Sequence, residues 1–401
     1  MALGDWCIPI IPLRGLGEGM TNATRCIAAS LRVQLCTRFC RLFWGGSLGE
    51  KRGIIRTFAG IIAKEMRIEQ NYSLAEHNTF HLPVKSRWFM EYASEEELGR
   101  ILRDEYFQEC FSLHIGGGSN LLFINDFNGI ILHSCIKGIT CVRETDESVF
   151  LRVGAAEVWD EVVAYAVANG WGGIENLSLI PGETGAAAVQ NIGAYGVEIK
   201  DVIESVEAYN QLTFEKRVFS REECAYGYRD SYFKDEQHDP YIVTYVTLRL
   251  AKQPAFVLTY GQLKERLGDQ PVTLSRVREA VIAIRKEKLP DPAVLGNAGS
   301  FFKNPVIPVG QYEALKQRYP EMPAYVLSEQ EVKVPAGWLI EACGFKGKQH
   351  GPVGVYEKQA LVLVNLGDAT GHEIALVAES IRAAVDDRFG IELMPEVKYV
   401  G

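Results

Sequence analysis

Nowhere in the 401 residues does an apolar run approach the ~18–20 residues that a membrane helix needs, and the nearest is the short stretch around Ile54 to Ile62. Positive charge is in deficit. Forty-two Lys and Arg face 51 Asp and Glu, a formal net charge of -9 with a pI of about 5.5, which argues against a nucleic-acid footprint or a basic membrane face. Nine cysteines are scattered without a CxxC pair, and the seven histidines form no HExxH, so neither a disulfide framework nor a metal site is expected. The glycine run 116–118 lacks the GxGxxG spacing of a Rossmann fingerprint. What is left is a reduced, cytoplasmic protein, expected as a monomer and long enough for two or three domains. In so acidic a chain, an anionic ligand needs local help from loop amides, helix ends and a few placed lysines.

Residues 1–65 differ from the rest. They carry nine Lys/Arg against four Asp/Glu, about +5, which leaves about -14 for the remainder, and they hold Cys7, Cys26, Cys36 and Cys40. Periodicity is poor there, whereas a regular globular pattern starts at Met66. The expectation is an extra segment, poorly packed, with translation normally starting at Met66. An arginine-rich targeting segment is the competing reading.

From Phe89 the pattern is strand, then a helix opened by Ser94 and Glu97, then a strand over Ser112 to Ile115. That strand runs into Gly116, Gly117, Gly118, Ser119, Asn120 and Leu121, a loop whose successive amides could hold a diphosphate, or which could equally be a plain hairpin turn. Val149 to Val153 reads as a strand and Glu157 to Asn169 as a helix stopped by Gly170. A second glycine-rich region follows, with Ile180, Pro181, Gly182, Glu183 and Gly185, then Asn191, Gly193 and Ala194. So many small residues suit a backbone lying along a flat, extended ligand. Val202 to Tyr209 and Tyr241 to Leu250 alternate like strands, and between them Tyr226-Gly227-Tyr228-Arg229-Asp230-Ser231 places one arginine among tyrosines. By itself that is as well explained by surface stacking as by function. Ser275 is the expected cap of a helix ending before Lys288-Leu289-Pro290. Further on, Gly296 to Pro305 combines close-approach glycines with Ser300, Lys303 and Asn304. Thr370 and Glu373 box the start of a long helix closed by Gly390, and the chain ends in Pro395-Glu396-Val397.

Gly299-Ser300-Phe301-Phe302-Lys303-Asn304-Pro305 resembles the proton-donor segment of the UDP-N-acetylenolpyruvoylglucosamine reductases, flavoenzymes of bacterial cell-wall synthesis. Gly227-Tyr228-Arg229-Asp230-Ser231, Leu258-Thr259-Tyr260-Gly261 and the terminal Pro-Glu-Val match the same family in the same order, from about Asn71 to Gly401. The resemblance implies an α+β protein with a two-part FAD-binding fold of the vanillyl-alcohol-oxidase type and a C-terminal α+β substrate domain. The expected parts are 66–138 and 139–288 around the flavin, with 389–401 returning to the second, and 289–388 over the substrate. The implied reaction is reduction of FAD by NADPH, then of UDP-N-acetylglucosamine enolpyruvate to UDP-N-acetylmuramate. In it Ser300 donates the proton, Arg229 clamps the carboxylate and Glu396 is a second acid or orienter. FAD contacts are implied at residues 116–121 and at Ile180, Pro181, Gly182, Gly185, Asn191, Gly193 and Ala194, and substrate contacts at Tyr260, Lys288 and Asn304. Glu183 and Ala186-Ala187-Ala188 depart from the small hydroxyl, thiol or proline residues of the family's loop. Two rivals stand beside this: an oxygen-using oxidase on the same flavin fold, and a non-catalytic nucleotide-sugar binder.

Overall fold

In the computed structural model, residues 66–234, 240–259 and 262–401 are described. The expected extra segment over 1–65 and the expected substrate residue Tyr260 lie outside them. Among the described residues no helix is long and apolar enough to cross a membrane.

Three sheet systems follow one another. The first contains β1 (Ile68–Ser73), β2 (Lys85–Tyr92), β3 (Ser112–Ile115) and β5 (Phe127–Ser134), in the order β1-β2-β5-β3, with β4 (Leu121–Phe123) outside it. β1 runs antiparallel to β2, whereas β5 is parallel to both β2 and β3. A parallel pairing needs a crossover, and here α1 (Glu95–Leu102) and α2 (Glu105–Glu109) supply it. Ser94 Oγ accepts the Glu97 amide at 3.2 Å while the Glu97 carboxylate reaches back to the Ala93 amide at 2.6 Å, so α1 opens where the sequence indicates.

The second sheet is antiparallel and holds β6 (Ile139–Glu144), β7 (Ser148–Gly154), β10 (Ile203–Asn210), β11 (Lys216–Ser220) and β12 (Tyr241–Ala251), in the order β11-β10-β12-β7-β6. Over it lie α3 (Trp159–Ala168), α4 (Thr184–Gln190) and the short hairpin of β8 (Gly193–Ala194) with β9 (Val197–Glu198). β7 is buried along its length except at Arg152. The helix α4 is a correction to the sequence reading, which has a glycine-rich loop along a flat ligand here. Gly185 touches Ala155, where a methyl group would come within 2.8 Å of the Ala155 Cβ, and Ala187 and Ala188 are buried, so small residues let a helix dock here. After α5 (Leu263–Leu267) comes α6 (Leu274–Lys288). Its cap is Thr273, whose hydroxyl accepts the Arg276 amide at 3.3 Å, and not Ser275, because Leu274 and Val277 take the buried positions of the first turn.

The third system comprises β13 (Asn297–Ser300), β14 (Val306–Pro308), α7 (Val309–Arg318), β15 (Tyr325–Val326), β16 (Glu331–Lys333), α8 (Ala336–Ala342), β17 (Gln349–His350), β18 (Val353–Val355), β19 (Val362–Asn365) and α9 (Gly371–Phe389). Its sheets order as β13-β19-β18-β17 and β14-β16-β15. The Thr370–Glu373 capping box and the left-handed Gly390 at φ 62 bound α9 as the sequence indicates. The last strand, β20 (Lys398–Val400), corrects another expectation. It pairs in parallel with β4, not with the sheet of residues 139–288, because Val400 completes the apolar cluster of Leu74, Phe89, Ile115, Phe123 and Phe127.

Candidate active site

Arg229 sits in a tight turn in which the Gly227 amide donates to the Asp230 carbonyl at 3.0 Å and the Asp230 amide returns the bond at 3.3 Å. Its backbone is left-handed at φ 55, a conformation costing a non-glycine residue about 1–2 kcal/mol. The guanidinium offsets that strain. Its two terminal nitrogens donate to the carbonyls of Asn191 at 3.3 Å and Gly193 at 2.6 Å, and Nε faces Glu396 Oε1 at 3.1 Å. Both side chains of the ion pair are more than four-fifths covered, at 19% and 16% exposure, so the pair is far less screened than a surface bridge.

Glu396 is placed from two sides. Its amide donates to the Phe301 carbonyl at 2.8 Å, and its carbonyl accepts from Asn120 Nδ2 at 3.0 Å. The second bond ties the C-terminal segment to the first glycine loop. Burial pushes the Glu396 carboxyl above its usual range by more than Arg229, Lys234 and Lys303 pull it down. Lys234, whose Nζ donates to the Arg229 carbonyl at 3.0 Å, is itself held below the usual ammonium range, first by burial and then by Lys303. A carboxyl ringed by three cations in a half-dry pocket suits a ligand that brings its own negative charge.

Ser300 ends β13 one residue from the carbonyl that holds Glu396. Gly299, left-handed at φ 67 with its amide on Asn297 Oδ1 at 2.9 Å, makes the bulge that sends Phe301 and Phe302 into the core and leaves Ser300 exposed. Burying those two rings contributes roughly 1.5–3 kcal/mol each, enough to fix the direction of the serine. Asn304 accepts the Ala336 amide on Oδ1 at 2.9 Å, at the start of α8, and also meets the Tyr228 hydroxyl. Lys288 lies exposed at the end of α6, and among the described residues no polar contact joins it to the Arg229–Glu396 pair.

The two glycine-rich loops face each other. Ser119 Oγ donates to the Pro181 carbonyl at 3.2 Å, a methyl group on Gly117 would lie 3.7 Å from Gly182 Cα, and Asn120 Nδ2 also reaches Gln190 Oε1 at 2.9 Å. Among the described residues, the amides of Gly117, Gly118, Ser119 and Asn120 donate to no protein acceptor. Four successive free amides with Gly118 left-handed at φ 65 form a nest of donors that would fit the diphosphate of a dinucleotide such as FAD. The other expected cofactor residues make structural contacts. Leu121 starts β4, Ile180 packs on the core of the second sheet, Gly185 seats α4, Gly193 and Ala194 form β8, and Asn191 holds Gly227 O, Glu198 and the Lys200 amide.

Sequence reasoning did not assign Lys234, Tyr228 or Lys333 to the site. The Lys333 ammonium stands 4.8 Å from the centre of the Tyr228 ring, and the Arg229 guanidinium 5.5 Å from it. Tyr228 lies inside the Gly227–Ser231 motif and Lys234 just beyond it, but their meeting with Lys303, Lys333 and Glu396 exists only in the fold.

The chain is similar over most of its length to known proteins. Residues 291–400 match the family model described as UDP-N-acetylenolpyruvoylglucosamine reductase, C-terminal domain, and residues 87–211 match a FAD binding domain. The UDP-N-acetylenolpyruvoylglucosamine reductase of Porphyromonas gingivalis is 51% identical over 337 residues, spanning 84% of this chain and 100% of the relative. That of Bacteroides fragilis is 51% identical over 334 residues, 83% of this chain and 100% of the relative. The crystal structure of UDP-N-acetylenolpyruvylglucosamine reductase from Thermus caldophilus has the same fold, with a TM-score of 0.59 at 24% identity over 84% of this chain and 100% of that one.

Proposed function

The chain belongs to the UDP-N-acetylenolpyruvoylglucosamine reductase family, and on that premise we propose that it is an FAD-containing, NADPH-dependent enzyme reducing UDP-N-acetylglucosamine enolpyruvate to UDP-N-acetylmuramate. The observation that carries this reading is the half-buried Arg229–Glu396 pair, bonded to both glycine-rich regions and one residue from the Ser300 strand.

FAD, held by the amides of residues 117–120 opposite Pro181 and Gly182, would supply the hydride chemistry between NADPH and the enolpyruvyl double bond. The chain's own groups manage what the hydride leaves behind. Negative charge develops on the carboxyl side of the substrate, and the Arg229 guanidinium, with Lys234 and Lys303 behind it, stabilises that charge in a place shielded from water. Ser300 delivers the proton to the neighbouring carbon, and the raised Glu396 carboxyl orients the substrate or serves as a second acid. Asn304, its Oδ1 engaged by α8, offers its side-chain nitrogen to the sugar nucleotide, which Lys288 and Tyr260 also contact. Residues 66–138 and 139–288 hold the flavin, residues 289–388 cover the substrate, and the enzyme acts as a cytoplasmic monomer.

Anaerobic mixing separates the two half-reactions. Ser300→Ala should leave bleaching of the flavin by NADPH intact and slow its reoxidation by the enolpyruvyl substrate about 10²–10⁴-fold. Equal loss in both halves removes Ser300 from the role.

A further inference from the structure

We propose that His133 is the counter-ion that lets Glu183 stand beside the diphosphate cradle, so that this protein takes up a proton when it binds FAD; this deepens the flavin reading above and rests on it. Glu183 lies against the first glycine-rich loop. Its Oε2 would lie 3.1 Å from a methyl group on Gly116, and its Oε1 3.9 Å from one on Gly117. A bare carboxylate there opposes an anion. Oε1, however, faces His133 Nε2 at 3.4 Å, while His133 Nδ1 faces Glu91 Oε1 at 3.1 Å. An imidazole between two carboxylates satisfies both only when each ring nitrogen carries a hydrogen, which makes it a cation.

The surroundings favour that state. Burial acts against the charged ring, yet the hydrogen bonds and charges of Glu183 and Glu91 outweigh it and hold His133 above its ordinary range. From the 3₁₀ turn at Ala75–His77, the His77 ring lies 5.0 Å away, and burial, then the charge of His133, depresses its own protonation. Burial keeps His114 on β3 neutral, with its pKa lowered to about 3, and keeps the Cys135 thiol protonated, with its pKa pushed up to about 11. Neither titrates between pH 6 and 9. Arg67 stays cationic throughout but is shared between Glu69 at 2.6 Å and Glu91 at 3.3 Å, so it does not make up for the imidazolium when His133 loses its proton. Loss of that proton leaves a net negative charge next to the amides that receive the diphosphate.

Linkage gives the sign. A bound diphosphate favours the imidazolium further, so flavin affinity falls as pH rises between the pKa of His133 in the flavin-free protein and its higher value in the complex. The slope reaches at most about one decade per pH unit.

The test is dilution of the yellow, full-length holoprotein between pH 6 and 9, with released FAD read by its fluorescence. The wild-type Kd should rise about tenfold or more across the range. Glu183→Gln should flatten the curve and bind at pH 9 about as tightly as wild type at pH 6, whereas His133→Gln should bind weakly at every pH. A wild-type Kd constant within about twofold, or a Glu183→Gln curve with the wild-type slope, overturns the proposal. Should His133→Gln fail to fold, the nearly isosteric Glu183→Gln decides alone. A wild-type protein that holds no FAD at any pH defeats the flavin reading instead.

Discussion

Gly118→Ala tests the diphosphate cradle most directly. Its methyl group would lie 1.9 Å from the His77 carbonyl oxygen and 2.5 Å from the carbonyl carbon, against a closest ordinary approach of 3.0 Å, so one segment must move by about 1 Å. Neither segment is a free side-chain end. Both are main chain, and the Thr79 amide donates to the Gly118 carbonyl at 3.3 Å across the gap. Left-handed backbone costs alanine about 1–2 kcal/mol and forced overpacking about 1–3 kcal/mol, roughly 2–5 kcal/mol together. If the loop shifts to relieve it, the whole of that falls on the cradle, weakening FAD by about thirtyfold to a few thousandfold at 1.4 kcal/mol per decade. Gly170→Ala is the control. It has the same kind of backbone, φ 76, but nothing within 4 Å of the new methyl group, so it should cost about 1–2 kcal/mol of stability and leave flavin binding alone. The assays are FAD Kd by fluorescence and thermal unfolding of each variant. A Gly118→Ala protein that keeps FAD within about threefold of wild type, with a stability loss no larger than that of Gly170→Ala, refutes the argument that these amides hold the diphosphate.

Arg229→Met should lower kcat/KM about 10²–10³-fold and, because Arg229 pulls down a carboxyl that burial has already raised, move the alkaline limb of the kcat profile to higher pH. A limb that stays in place assigns it to another group. Lys288→Ala should raise the substrate KM about tenfold, ~1.4 kcal/mol, with kcat unchanged, and an unchanged KM removes Lys288 from the site. Asp160→Asn should cost about 1–3 kcal/mol at pH 7, since Arg278 holds both carboxylate oxygens at 2.6 and 2.9 Å and the Leu179 amide adds a third bond. Burial pushes this carboxyl up, but Arg278 and the Leu179 amide outweigh it. Its contribution is therefore complete above about pH 4 and lost as pH falls through the lowered pKa, so the Tm gap between wild type and Asp160→Asn should close in acid. A gap that is constant with pH would show that the charge is not what stabilises.

What the sequence made legible follows from how local each cause is. Ser112–Ile115, the Thr370–Glu373 box and the Gly390 stop were readable because each is settled within a few residues by side-chain alternation, a reciprocal cap or a left-handed glycine. The helix Thr184–Gln190 was not, since a run of glycine and alanines carries no apolar stripe and becomes helical only where it packs on Ala155. The parallel seat of Lys398–Val400 beside Leu121–Phe123 had no signal either, because parallel partners share no turn and Val400 finds its cluster only in three dimensions. Of the site, Arg229, Ser300 and Glu396 were visible through family motifs, while Lys234 and its closeness to Lys303 were not.

A chain with a net charge of -9 can still favour an anion where Arg229, Lys234 and Lys303 converge on Glu396. Its global field works against an anion but is screened over about 10 Å at ordinary ionic strength, whereas Arg229, Lys234 and Lys303 act locally on the Glu396 carboxyl, which burial pushes up. Adding surface carboxylates far from residue 396 should therefore leave the substrate KM nearly unchanged at 0.1 M salt, while Lys234→Gln, which alters nothing beyond the pocket, should raise it. If KM follows the global charge instead, the local account of the site is wrong.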